Sequence, residues 1–316
     1  MEQVKVRYQE FLEACIEQLK IRLGTEYNIQ LNTVLRNNAI TMKGVIILKN
    51  GEKISPNIYL DEYFTQYEQG KTLEEVVDRI LILYYNQVKE KSDFDLQFTF
   101  EAMKDNIIFR VINKEKNEEL LKDCPHVVFL DLAVTFHCLI QDGWDSIGTI
   151  RITNDHLRLW QVSEKDMIDL ARKNTPKLLP PLLRKMDDVL KEMLEQEDIV
   201  PEEENLQLEF DRLQGNDEDS SHAELFVLSN TKGINGASCI LYEDAIRHFA
   251  KLMKSDLYIL PSSIHELILL PTKDSYDKER LEEMVIDINR TQVPYEEVLS
   301  DHIYYYSRIQ NKIKIL

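Results

Sequence analysis

The sequence predicts an α+β protein, a mostly antiparallel sheet covered by helices with a smaller N-terminal helix-strand-strand-helix module. Three observations predict it. Apolar residues recur at three-to-four spacing in several long stretches, which is the period of a helix with one buried face. Short apolar runs bounded by Gly, Pro, Asn and Asp lie between them and read as strands. The last third repeats the order strand, strand, helix, which suits one antiparallel sheet with helices over one face.

The first helix carries Tyr8, Phe11, Leu12, Cys15, Ile16, Leu19 and Leu23, and Gly24 supplies its stop. Residues 27–35 and 40–48 follow as strands, with Asn50-Gly51 as a turn. A second helix opens at Thr72, with Glu75 in capping-box relation and a stripe of Leu73, Val76, Val77, Ile80, Leu81 and Tyr84. Beyond it lie a helix near 94–104 and a strand at Ile107–Ile112. The apolar run Val127–Ile140 is broken by Asp131 and faces a partner strand at Ile147–Ile152. Ser163 caps a helix carrying Met167, Leu170 and Ala171, which Pro176, Pro180 and Pro181 are expected to interrupt. A further helix is expected to carry Leu182, Leu183, Met186, Val189, Leu190, Met193 and Leu194. Leu225–Leu228 and Ala237–Leu241 read as strands around the loop 231–236, followed by a helix through Ala245, Ile246, Phe249, Leu252 and Met253. Strands at Leu257–Leu260 and His265–Leu270, a helix through Leu281, Met284, Val285 and Ile288, and a strand at Ile303–Tyr306 repeat the order.

Four regions follow: an N-terminal module over 1–92, a middle α+β region over 93–195, an acidic linker over 196–222, and a C-terminal region over 223–316 that packs with the middle one. The chain has 316 residues and a formal net charge of −18. Twelve acidic residues fall between Glu192 and Asp219, opposed only by Arg212. A block of this kind reads as solvated or as a docking segment for a basic partner, with Leu206, Leu208 and Phe210 alternating inside it. Such a balance disfavours nucleic acid, whose binding needs Lys and Arg to displace counterions, and anionic membranes for the same reason. Cysteines 15, 124, 138 and 239 lack CxxC spacing and read as buried free thiols. With no signal-peptide pattern at Met1–Lys5 and no apolar run near 18 residues, the expected compartment is the cytoplasm.

Several phrases together are diagnostic: Ile54–Leu60, Phe129–Ala133, Ile152–Leu157, Lys173–Pro176, Leu257–Glu266 and Val298–Tyr306. In this order they resemble a domain-of-unknown-function family of anaerobic Gram-positive bacteria over nearly the full chain. From about Val127 onward the layout is also similar to a shorter uncharacterised family of bacilli. Neither resemblance implies an activity.

Two function classes remain open. The leading one is a non-enzymatic binding or accessory protein with a protein partner. Its surface residues would be Tyr59, Tyr63 and Tyr67, which offer large contact area at small entropic cost, or the polar-aromatic set Asn154, His156 and Trp160. The alternative is a hydrolase or other small-molecule enzyme. Ser262, Ser263, His265, Glu266, Asp301 and His302 hold the hydroxyl, imidazole and carboxylate that activate a nucleophile. Against it, no Gly-x-Ser-x-Gly elbow is present, and Pro-Ser-Ser is ordinary turn chemistry. The seven histidines form no HxxxH or HExxH pair, so no metal is expected, although Asp155-His156 with His265 or Asp301-His302 would supply ligand types. Nine glycines include no GxGxxG or P-loop, and no cofactor is expected.

Overall fold

A computed structural model describes residues 2–52, 55, 57–90, 98–142, 146–196, 225–242, 244–261, 263–272 and 277–316. The chain divides into two compact units, Met1–Gln97 and Phe98–Leu316. The segment 197–224, with most of the acidic block and its Leu206-Leu208-Phe210 alternation, lies outside the described residues.

In the first unit, α1 (Glu2–Leu23) ends at Gly24, whose φ of +72° suits a residue without Cβ. Strands β1 (Tyr27–Leu35), β2 (Thr41–Lys49) and β3 (Asn57–Tyr59) form an antiparallel sheet with β2 central. The register sets Ile29 opposite Ile47 and Val45 opposite Ile58, so all four share one face. Against that face pack Phe11, Leu12, Cys15 and Leu19 of α1, Phe64 of α2 (Asp61–Glu68), and Val76, Val77, Ile80 and Tyr84 of α3 (Leu73–Glu90). The expected capping box is present: Thr72 N donates to Glu75 Oε2 at 2.8 Å and Glu75 N to Thr72 Oγ1 at 3.3 Å.

The second unit holds two antiparallel sheets. In one, β6 (Leu132–Asp142) is central, with β4 (Ile107–Asn113) on one side and β5 (His126–Phe129), then β7 (Ser146–Arg151), on the other. Its connections include α4 (Phe100–Met103), α5 (Glu118–Lys122), α6 (Asn154–Trp160) and α7 (Glu164–Leu178). The second sheet has the order β13-β12-β10-β11-β9-β8. Its strands are β8 (Pro181–Lys185), β9 (Phe226–Asn230), β10 (Leu257–Leu260), β11 (Leu267–Pro271), β12 (Tyr304–Ser307) and β13 (Lys312–Ile315). Between them run α8 (Met186–Gln196), α9 (Ala245–Met253) and α10 (Lys278–Thr291). One face buries Val227, Ile268, Leu270 and Leu260 with Leu281, Met284 and Val285 of α10 and Met186 of α8. On the other face Phe226 meets Phe249 of α9, ring centroids 4.7 Å apart.

Three sequence expectations are corrected. Pro176 lies inside α7, which runs on to Leu178. Tertiary bonds hold this last turn: Asn174 Nδ2 donates to Lys104 O and Ile107 O, and Thr175 Oγ1 accepts from Phe109 N. Leu182 and Leu183 stand in β8 rather than in a helix, because β9 offers them a ladder. Ala237–Leu241 is part of a 3-10 helix, Gly236–Leu241, so residues 231–236 close no hairpin. Strand β9 instead pairs with β8 and β11, and the first strand-strand-helix repeat does not exist. A Cβ on Gly236 would lie 2.4 Å from His265 O, so the chain passes there only as glycine.

Strand β4 is an edge, and two hydroxyls seal it: Phe109 N donates to Thr175 Oγ1 at 3.0 Å and Val111 N to Ser238 Oγ at 3.2 Å. An unsatisfied buried N–H costs about 1–3 kcal/mol. Thr175→Val, nearly isosteric, is expected to lower stability by about that amount, and Thr175→Ser by much less. Urea unfolding midpoints check this; equal midpoints for the two variants would remove the sealing role.

All four cysteines are buried and unpaired. Burial pushes the thiols of Cys15, Cys138 and Cys239 up to about 12, and that of Cys124 up as well. Such thiols are poor nucleophiles. Among the described residues, no helix is long and apolar enough to cross a membrane.

Candidate functional site

The Ser/His/Asp residues occupy two turns of similar build. In the connection from β10 to β11, His265 N donates to Ser263 Oγ at 3.0 Å. In the turn before β12, His302 N donates to Ser300 Oγ at 3.0 Å. Each is the local hydroxyl-to-backbone bond that Ser favours in turns. His265 Nδ1 accepts from Asn235 N at 3.3 Å, which leaves the ring proton on Nε2, 3.6 Å from Glu297 Oε1. His302 Nδ1 has a different carboxylate, Glu282 Oε1, at 3.6 Å. Asp301 accepts from Asn289 Nδ2 at 2.9 Å and lies 3.6 Å from Lys116 Nζ. Ser300 Oγ donates to Asp131 Oδ2 at 2.6 Å, so that proton goes to a carboxylate and not to an imidazole. The structure thus brings Ser263 to His265 and Ser300 to His302. Among the described residues, no hydrogen bond or ion pair joins Ser263 or His265 to Asp301 or His302. Glu266 is half-buried, and Ser262 lies outside the described residues.

Asp131 is the centre of this region. It sits in the tight turn between β5 and β6, beside Leu130 at φ +55°. Its second oxygen accepts from Tyr304 OH at 2.7 Å, and both hydroxyl-bearing residues are fully buried. Burial, then the Asp131 charge, raise the Tyr304 hydroxyl far above its ordinary pKa, so it remains a donor. The carboxylate thereby ties the turn of one sheet to the first residue of β12 in the other.

The aromatic candidates serve mainly packing. Arg36 lies over the Tyr59 ring, 5.1 Å from its centroid. Tyr63 is half-buried, and burial raises its hydroxyl pKa. Tyr67, one helical turn on, is 38% exposed and tilts against Phe11 at 5.2 Å. Asn154 Nδ2 donates to Lys122 O at 2.9 Å. His156 Nδ1 accepts from Thr153 N at 3.0 Å, capping α6, and its ring stacks on Trp160 at 5.6 Å. Burial lowers the His156 pKa. Trp160 Nε1 donates to Phe98 O at 3.2 Å. Among the described residues, no group of three or more His, Cys, Asp or Glu is placed to hold a metal ion.

The residues that sequence reasoning missed lie along β8, the last strand of its sheet among the described residues. Met186 N donates to Leu225 O, and Thr231 N to Pro180 O. By antiparallel alternation, Leu182 and Arg184 therefore turn their backbone groups toward β9, while Pro181, Leu183 and Lys185 turn theirs outward. Among the described residues, the N–H and C=O of Leu183 have no partner. A groove of about 600 Å³ covers this edge. Leu183, Phe226, Phe249 and Leu252 line it together with the charged residues Arg184, Lys185, Asp188, Lys191 and Glu192. Leu252 is 75% exposed and Leu183 38%. The sequence signal was Pro180-Pro181 ahead of a short apolar-to-basic run, which opens an edge strand more readily than a helix.

No curated protein matches this chain, and no solved structure does. The model of one family, described as "Family of unknown function (DUF5688)", matches residues 8–308. That span is nearly the whole chain, and the protein belongs to this family of unknown function.

Proposed function

We propose that the protein is a non-enzymatic binding protein of the bacterial cytoplasm, and that it takes an extended segment of a partner protein onto the outer edge of β8. One observation supports this reading: Leu183, whose N–H and C=O have no partner among the described residues, lies in a groove that it lines together with the apolar side chains Phe226, Phe249 and Leu252. Strand addition uses those two features together, backbone bonds for affinity and a side-chain groove for selection. Exposed strand edges left without cover invite other strands. The opposite edge of the sheet, β13, alternates Lys312 and Lys314, both exposed, with Ile313 and Ile315, a pattern that discourages pairing. Four reduced thiols suit a reducing compartment.

The test is selection of a random-peptide phage library on the full chain. Selected peptides are expected to be extended and apolar at one position, and to lose at least about tenfold in affinity on Leu252→Glu, which places a charge in the groove. Leu252 is too exposed for that substitution to unfold the protein. Peptides that bind Leu252→Glu as well as the parent, or a selection that enriches nothing, would sink the reading.

A further inference from the structure

We infer that the segment laid on β8 is the β8 strand of a second copy of this chain, running antiparallel about a two-fold axis at Leu183; this rests on strand addition at β8. Leu183 offers one N–H and one C=O, neither with a partner among the described residues. Two antiparallel copies centred there exchange both bonds, each Leu183 N–H donating to the C=O of the other. The neighbouring registers are worse. With Leu183 opposite Pro181, the proline has no N–H to give to the Leu183 C=O. With Leu183 opposite Lys185, Arg184 of one copy falls opposite Arg184 of the other, and like charges directly opposite destabilise a sheet. Centred on Leu183, Arg184 falls opposite Leu182 and Lys185 opposite Pro181.

Directly opposite residues share a sheet face, so the two Leu183 side chains meet on the face that also carries Phe226. Phe249 packs on Phe226, which places α9 over that same face. Leu252 of α9, 75% exposed, lines the groove with them. The pair therefore gathers these apolar side chains from both copies and takes Leu183 out of water. Charge does not oppose it. In the described lining, Arg184 stands 2.6 Å from Glu192, Lys185 is engaged within its own chain, and Asp188 and Lys191 lie one turn apart on α8. A charged foreign segment finds no uncompensated charge there to select it. A lining of balanced sign can meet its own copy, although each chain carries a net charge of −18. Two-fold symmetry makes every contact twice, which offsets the shortness of the ladder.

The experiment is sedimentation velocity of the full chain over a wide range of concentration, and a reversible monomer–dimer equilibrium is expected. Leu183→Glu and Leu183→Lys each set like charges opposite one another across the axis, and each should weaken the dimer at least about tenfold with an unchanged circular dichroism spectrum. Mixing the two variants should restore it, since Glu then faces Lys, and that recovery also shows both variants to be folded. Leu252→Glu should weaken the dimer as well. A chain that is monomeric at every concentration, a dimer indifferent to both substitutions at Leu183, or a mixture that stays monomeric would overturn self-pairing. If library peptides then still bind and lose affinity on Leu252→Glu, strand addition stands with a foreign partner. A monomeric chain that enriches no peptide overturns both.

Discussion

Asp131→Ala is expected to lower stability by about 3–5 kcal/mol, since one carboxylate accepts from two buried hydroxyls and each bond to a charged group contributes about 1.5–3 kcal/mol. Ser300 Oγ and Tyr304 OH lie 2.6 and 2.7 Å from its two oxygens. Neither has access to water, since both residues are buried to 0% exposure. Their desolvation therefore goes uncompensated once the acceptor is gone. For a unit the size of Phe98–Leu316, thermal unfolding should fall by about 10 °C. The triple variant Asp131→Ala, Ser300→Ala, Tyr304→Phe should recover part of the loss, because removing all partners leaves no buried donor orphaned. A drop of under about 2 °C for Asp131→Ala would show that the carboxylate does not hold the two sheets together.

Acid destabilisation traced to His137 is the second large effect. His137 is 8% exposed on β6, and its Nε2 lies 3.1 Å from Thr135 Oγ1. Burial, then the charges of Arg110 on β4 and Arg151 on β7, hold its pKa well below the ordinary 6.5. The unfolded chain therefore takes up this proton first. Stability from the group is complete above about pH 6.5 and falls as pH drops below it, with a slope approaching about 1.4 kcal/mol per pH unit until the folded-state pKa is reached. Urea midpoints at pH 7.5, 6 and 5 measure the slope. His137→Gln, which cannot charge, should flatten it relative to the parent. Parallel pH profiles for parent and variant would assign the acid sensitivity to the carboxylates instead.

Helices with a one-sided apolar stripe were legible in the residues alone. The stripe through Phe11, Leu12, Cys15 and Leu19, the Thr72–Glu75 box and the Ser163 cap all stand where spacing puts them, because each needs only neighbours within one turn. The same holds for the β1–β2 and β10–β11 hairpins, whose partners are close in sequence. Pro176 misled because its lost backbone bond is offset by Asn174 and Thr175 reaching to strand β4 some 70 residues away. Leu182 and Leu183 misled because an apolar pair has no period of its own.

Residue order by itself determined the α+β class, the acidic balance, the absence of local metal or phosphate motifs, and the family to which the chain belongs. Those properties are sums over the chain or patterns within a few residues. Tertiary structure alone decided that β9 pairs with β8 and β11, that Asp131 meets Ser300 and Tyr304, and that β8 is the last strand of its sheet among the described residues. Each of these depends on contacts between distant segments, whose closure is set by the packing of the whole unit and leaves no periodic trace in any one of them.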